Sequence, residues 1–151
     1  MDFLAICQGL GLALAAGFVI GAVVPSIMPS WGAIAGAAPL GVLACAAVLD
    51  GADEALWPAL PVGVLGAGLA AVISHDLTAG AARREGEGLE VGNAQASPGV
   101  MAIAVAVAAV FAAASLFAPP ASLVALFGLV WVWLSRRRRE DSKHEGLRVL
   151  R

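Results

Sequence analysis

The sequence has few charged residues and few cysteines, and it lacks common catalytic motifs. Only 13% of its 151 residues are Asp, Glu, Lys or Arg, against about 25% in a soluble domain. Its two cysteines are too few for a disulfide framework or a cysteine-based zinc site. The phosphate-binding loop G-x-x-x-x-G-K, the zinc motif H-E-x-x-H and the nucleophile motif G-x-S-x-G do not occur. We therefore expect no cofactor, and the sequence favours a protein that is not an enzyme.

What the sequence has in excess is apolar side chains. Hydrophobic residues make up 60% of the chain, and its mean hydropathy is +0.89. A soluble protein of this size cannot bury that much apolar surface, so the composition predicts an integral membrane protein whose partner is the lipid bilayer. We expect no nucleic-acid partner, because the basic C-terminal tail has no Phe, Trp or Tyr on which bases could stack.

The apolar residues fall into five segments whose lengths suit membrane helices. The segments are 3–24, 32–49, 55–74, 99–118 and 121–134. A helix rises about 1.5 Å per residue, so about 20 residues cross a hydrocarbon core of about 30 Å. The alternation of Ala with Ile or Val over 102–108 is typical of a strand, but a lone strand in lipid would leave its backbone unpaired. We predict an all-α, polytopic membrane helix bundle with five transmembrane segments.

The predicted bundle occupies residues 1–134 and includes a polar cytoplasmic loop at 76–97, and a basic cytoplasmic tail follows at 135–151. We expect the first segment to be a retained span and not a secretion signal. Asp2 is the only charge before it, whereas a signal begins with basic residues, and its apolar run is longer than the usual signal core of about 7–15 residues.

The third segment leaves an alternative open. Pro58 and Pro61 interrupt its beginning, so that only 62–74 is an uninterrupted apolar run. Such a segment can be re-entrant, entering and leaving the membrane on the same side, which would give four spans plus a re-entrant third segment. Both arrangements place every basic residue on one side of the membrane.

The basic residues set the predicted orientation. All nine lie in two places, at 83–84 and within 136–151. Because positively charged flanks of membrane helices stay in the cytoplasm, the loop and the C-terminus are predicted to be cytoplasmic, in a multi-pass protein of the bacterial inner (plasma) membrane. With five spans, the N-terminus and the acidic residues Asp50, Asp53 and Glu54 lie outside.

Three ionisable residues at segment ends form a candidate metal or proton site. Asp50 and Asp53 follow the second segment, and His75 follows the third. Carboxylate and imidazole together can bind a divalent metal or relay protons. Five spans would put Asp50 and His75 on opposite membrane faces, whereas a re-entrant third segment would bring them to the same face. The alternative interpretation is that they are polar helix ends at the membrane surface.

Small residues recur every four positions on the first segment. They are Gly9, Ala13, Gly17 and Gly21. At 3.6 residues per turn they share one helix face, and small residues let helices approach closely in lipid. We therefore predict a helix-packing face, either within the fold or between copies in a homo-oligomer.

The end of the fifth segment predicts a contact with anionic lipid. Trp131 and Trp133 precede four successive arginines, Arg136, Arg137, Arg138 and Arg139. Indoles favour the membrane interface, and arginines at the cytoplasmic surface attract anionic headgroups.

Several short motifs resemble those of a known family. They are QGLG at 8–11, VLD at 48–50 followed by Asp53, His75 leading into AGAAR at 79–83, and NAQASP at 93–98. Over residues 8–134 this arrangement resembles the small bacterial integral-membrane proteins known as domain of unknown function 4126. Thr78, where the family pattern has a basic residue, and the shorter connection after Asp53 depart from it. The resemblance implies a multi-pass membrane fold and carries no established activity.

The sequence predicts function only at the level of class. Small-residue faces and the scarcity of charge within the segments favour a membrane scaffold or accessory subunit, which binds a second copy or another membrane protein. The alternative is a small-solute or ion transporter or channel component acting as a homo-oligomer, because proline- and glycine-interrupted helices form binding sites in transporters. A second alternative is a metal-dependent membrane enzyme that uses Asp50, Asp53 and His75.

Overall fold

The computed structural model describes residues 2–24, 29–85 and 98–148 and contains five α-helices in that part of the chain. The helices are α1 Phe3–Val23, α2 Ser30–Gly51, α3 Ala59–Glu85, α4 Pro98–Phe117 and α5 Ala121–Arg148. No strand occurs among these residues, and the alternating stretch 102–108 is helical. The all-α prediction is confirmed.

Three helices are long and apolar enough to cross a membrane. They are α1, α2 and the Ala59–Ala81 part of α3. The apolar parts of the other two helices are shorter, Met101–Phe117 in α4 and Ala121–Ser135 in α5. The chain is thus a helical protein with three candidate membrane spans and a shorter apolar hairpin.

The two prolines of the third segment do not break α3. Pro58 directly precedes the helix and Pro61 lies in its first turn, where an N–H has no acceptor within the helix, so a proline costs no hydrogen bond. The Pro58 carbonyl accepts the Val62 N–H at 3.1 Å. A re-entrant segment would need a break at which the chain reverses, and α3 has none between Ala59 and Glu85.

The structure also corrects the end of the third segment. We predicted a polar loop at 76–97, but α3 continues through Asp76 as far as Glu85. The polar residues within this stretch do not stop the helix, because helix propensity is only a weak preference. Extending a helix that has already formed is also much easier than starting a new one. The rest of the predicted loop, 86–97, lies outside the described residues.

Helix α1 is the centre of the bundle. It packs against all four other helices, whereas α2 contacts only α1 and α3 among the described helices. Gly9 lies against Cys45 and Gly36 lies against Ile20, so α1 and α2 run antiparallel. Helix α3 runs parallel to α1, because Gly66 approaches Leu10 while Ser74 approaches Gly21.

Helices α4 and α5 form a hairpin that packs on another side of α1. The rings of Phe18 and Phe111 meet edge to face, with centroids 5.9 Å apart, and Gly11 lies against Ser115 and Ser122. Because Gly11 precedes Phe18 while Ser115 follows Phe111, α4 runs antiparallel to α1. The turn between α4 and α5 therefore points towards the start of α1.

The charged residues collect at the two ends of the bundle. The Asp2 N–H donates to Glu54 Oε1 at 2.8 Å, which joins the start of α1 to the connection between α2 and α3. We call this the acidic end; it carries Asp2, Asp50, Asp53 and Glu54. Helices α3 and α5 run towards the opposite end with their arginines, and we call that the basic end.

The distribution of residue sizes is inverted relative to a soluble protein. Much of the interior is alanine: Ala13, Ala33, Ala37, Ala67 and Ala71 are completely buried and pack together. Large apolar side chains face outwards, with Leu43 65% and Phe127 73% exposed. Exposed apolar surface of this extent marks a membrane or protein contact, which agrees with a membrane location.

Candidate functional site

The acidic residues of the predicted metal site lie in an exposed turn. Asp50 and Asp53 are both exposed at the end of α2. Asp53 has a positive φ of 53°, a left-handed conformation that commonly ends helices and that Asp tolerates. The turn is closed by the Glu54 N–H, which donates to the Leu49 carbonyl at 2.9 Å. Both carboxylates therefore face away from the bundle interior.

His75 lies far from these carboxylates. It is 4% exposed and is located 16 residues after Ala59, where α3 begins. At about 1.5 Å per residue, α3 separates it from the acidic end by roughly 24 Å. Within the described residues, no three His, Cys, Asp or Glu side chains come close enough to hold a metal ion. Asp50, Asp53 and His75 thus do not share a site, because α3 crosses the bundle as one helix.

His75 belongs instead to a buried polar group near the basic end. Its neighbours Ser74 and Thr78 are also buried. The Ser74 hydroxyl donates to the Ala71 carbonyl at 3.3 Å, and the Thr78 hydroxyl donates to the His75 carbonyl at 3.0 Å. These bonds to the preceding turn satisfy the hydroxyl donors within α3 itself. The imidazole is the one side chain of this group that can carry a charge.

A second buried polar group joins the α4–α5 hairpin to α1. The Ser122 hydroxyl lies 2.7 Å from the Cys7 carbonyl of α1 and 2.7 Å from the Pro119 carbonyl. A hydroxyl has one proton, so it donates to one of these carbonyls at a time. Ser115 donates to the Ala112 carbonyl of its own helix at 2.8 Å. The Ser122 hydroxyl therefore can tie α5 to α1, whereas the Ser115 hydroxyl bonds within α4.

Gly11 makes this second group possible. A Cβ at position 11 would lie 3.2 Å from the Ser122 Cβ and closer still to the Ser115 side chain. The roles of Gly11, Ser115 and Ser122 were not predicted from the sequence. The available signal was a serine on each side of the Pro119–Pro120 turn, since serines often join helices in membranes.

The four-residue stripe of α1 lies in contacts within the chain. Gly9 faces α2, where an added Cβ would be 2.6 Å from Cys45 Sγ. Ala13 is completely buried between α2 and α3. Gly17 and Gly21 face α3, against the backbones of Ala67 and Ala71. All four positions therefore allow α1 to approach its neighbours at backbone distance.

Helices α2 and α3 approach each other in the same way. A Cβ on Gly63 would lie 2.5 Å from the Val42 Cα, and a Cβ on Gly41 would lie 2.5 Å from the Gly63 carbonyl oxygen. This pair could not be predicted from the sequence, because its two glycines are on different helices and form no spacing pattern. The three long helices thus touch one another at glycine and alanine.

The four arginines predicted to meet anionic lipid lie on α5. The helix continues without a break from its apolar part Ala121–Ser135 through Arg136, Arg137, Arg138 and Arg139. Arg138 is exposed, as is Trp131 about two helical turns before it.

Comparison with known proteins found no match: no family model, no curated protein and no solved structure is similar to the chain. The resemblance to domain of unknown function 4126 stays a prediction and assigns no role to any residue.

The described interior offers little polar surface. Its buried polar side chains belong to Ser74, His75, Thr78, Ser115 and Ser122. The first three lie near the basic end and the two serines of the hairpin lie towards the acidic end. Between these groups, α1 contacts its neighbours through alanine, glycine and larger apolar side chains such as Leu14 and Phe18.

Proposed function

We propose that this protein crosses the bacterial inner membrane five times and acts as a scaffold or accessory subunit that binds another membrane protein or a second copy. The acidic end lies outside and the basic end, with the C-terminus, lies in the cytoplasm. The acidic end carries Asp2, Asp50, Asp53 and Glu54 and no basic residue, which supports this orientation. Helices that follow each other in the chain, such as α1 and α2 or α4 and α5, run in opposite directions, as successive spans do.

The observation that carries the scaffold proposal is the closed interior. Gly17 lies against the Ala67 backbone, and Gly41 lies against Gly63. Contacts of this kind fix helices tightly, because small residues bring backbones together in lipid. A solute path needs polar groups along its length, whereas the buried polar groups of the described bundle form two separated clusters. A tightly packed body with apolar outer faces suits binding better than transport.

The test combines partner capture with two surface variants. The chain is extracted from its native membrane into lipid nanodiscs, and co-purifying proteins are quantified. Ala106→Trp on α4 and Ala47→Trp on α2 each enlarge one exposed outer face without entering the interior. A scaffold is expected to carry a partner in fixed stoichiometry, and one variant is expected to lose it while both keep the wild-type melting temperature.

Transport is measured on the same preparation. Reconstituted into proteoliposomes, the folded protein is expected to leave ion and solute flux at background. Flux above background, abolished by a bulky substitution in the interior such as Ala13→Leu but not by Ala47→Trp, would refute the scaffold proposal and support the transporter alternative.

A further inference from the structure

The turn between α4 and α5 lies short of the acidic end. Ser122 contacts the Cys7 carbonyl and lies beside Gly11, and Cys7 is four residues into α1. At about 1.5 Å per residue, the connection that precedes Ser122 lies about 5 Å nearer the middle of the bundle than the start of α1 does.

The hairpin does reach the basic end. Counted from the contact between Ser122 and Cys7, α5 has 14 residues to Arg136 and α1 has 16 residues to Val23. These lengths correspond to roughly 21 and 24 Å. The shorter apolar parts of α4 and α5, Met101–Phe117 and Ala121–Ser135, therefore leave the bundle short on one side of its acidic end only.

The end of α4 also carries backbone acceptors that no helical donor can reach. The carbonyls of Ser115 and Leu116 would pair with N–H groups at positions 119 and 120, but both of these residues are proline and have no N–H. The Ala121 N–H donates to the Ala118 carbonyl at 2.8 Å. Acceptors of this kind are strongly disfavoured in hydrocarbon and require a hydrogen-bond donor.

The surroundings of the turn are open. Phe117 is 91% and Leu116 is 57% exposed, and Phe3 and Leu4 on the first turn of α1 are 59% and 49% exposed. An apolar segment shorter than the bilayer thins the bilayer around it. Thinning would bring headgroups and their water to the end of α4, where the water can donate hydrogen bonds to the carbonyls.

We propose that phospholipid headgroups occupy the space above the α4–α5 turn, so that the leaflet at the acidic end bends inwards along this side of the bundle. The inference rests on the proposed five-span arrangement. It makes the protein asymmetric in hydrophobic thickness, with full thickness along α2 and α3 and a depression along the hairpin. A partner or lipid that prefers a thin bilayer would gather at that side.

The experiment measures depth at two matched alanines. Ala118 lies in the turn between α4 and α5. Ala47 lies on α2, two residues after Cys45, and Cys45 faces Gly9 of α1. Both are exposed and lie at similar distances from the acidic end. Each is replaced by cysteine in a Cys7→Ala, Cys45→Ala background and labelled with bimane in dioleoyl phosphatidylcholine vesicles. The vesicles contain lipid with a nitroxide quencher either on the headgroup or in the middle of the acyl chain.

We expect headgroup nitroxide to quench bimane more strongly than chain nitroxide at position 118, and the reverse order at position 47. Chain nitroxide dominating at both positions would show an undisturbed bilayer and overturn the inference while leaving the five-span proposal intact. Weak quenching by both lipids at position 118 would mean that protein or water covers the turn, which also overturns it. Headgroup quenching dominating at both positions would show that the leaflet is equally thin along α2, which would overturn the claimed asymmetry.

Discussion

Replacing Gly17 by alanine tests whether backbone-level packing of α1 on α3 stabilises the protein. A Cβ at Gly17 would lie 2.6 Å from the Ala67 Cα and would overlap its carbonyl oxygen. Because those atoms belong to the backbone, α1 and α3 must separate by about 1 Å to reach van der Waals distance. Overpacking of this kind costs about 1–3 kcal/mol.

The matched control is Gly128→Ala on α5. An added Cβ there would meet nothing within 4 Å, so the substitution changes only helix propensity, which favours alanine by up to about 1 kcal/mol. Both variants gain this propensity, and their difference isolates the packing effect. We expect the free energy of unfolding of Gly17→Ala to be about 1–3 kcal/mol lower than that of Gly128→Ala.

The assay is equilibrium unfolding by dodecyl sulfate in mixed micelles, followed by circular dichroism and by the fluorescence of the four tryptophans. Equal unfolding free energies for the two variants would refute the packing argument. A lower value for Gly128→Ala would show that α5 has contacts that the described bundle does not include.

Three further predictions concern the hairpin, the proposed metal site and the arginines. Ser122→Ala removes the hydrogen bond to the Cys7 carbonyl and is expected to lower the free energy of unfolding by about 0.5–1.5 kcal/mol. An unfolding free energy equal to that of the wild type would show that this bond does not stabilise the protein. Asp53→Asn is expected to leave zinc binding, measured by calorimetry, unchanged, because His75 lies roughly 24 Å along α3 from the acidic end; a weakened site would show that the carboxylate is a ligand. Replacing Arg136, Arg137, Arg138 and Arg139 by glutamine is expected to abolish enrichment of anionic lipid in nanodiscs, because each arginine near the membrane surface contributes about 1 kcal/mol of attraction to anionic headgroups. Unchanged lipid composition would refute the arginine contact.

The helices could be predicted from hydropathy, but their ends could not. Long apolar runs have one stable form in lipid, so the helical class followed directly from the sequence. The end of α3 did not, because hydropathy falls at His75 while the helix continues to Glu85. Pro61 was misleading for a related reason, since a proline in the first turn of a helix costs no hydrogen bond.

Some contacts between helices could likewise be predicted from the sequence, and others could not. The stripe from Gly9 to Gly21 was visible because it repeats along one helix. The approach of Gly41 to Gly63 was not visible, because it depends on how two helices cross. The separation of Asp50 from His75 likewise depends on the course of α3, and the sequence alone left both arrangements open.

The most direct test of the account is the side of the membrane on which each end of the bundle lies. Single cysteines replace Asp53 at the acidic end and Arg138 on α5, both exposed, in the Cys7→Ala, Cys45→Ala background. Intact cells are treated with a membrane-impermeant maleimide, and lysed cells provide the total. We predict labelling of Asp53→Cys in intact cells and protection of Arg138→Cys until lysis. Protection of both cysteines in intact cells would place the two ends on one side and contradict the crossing of α3.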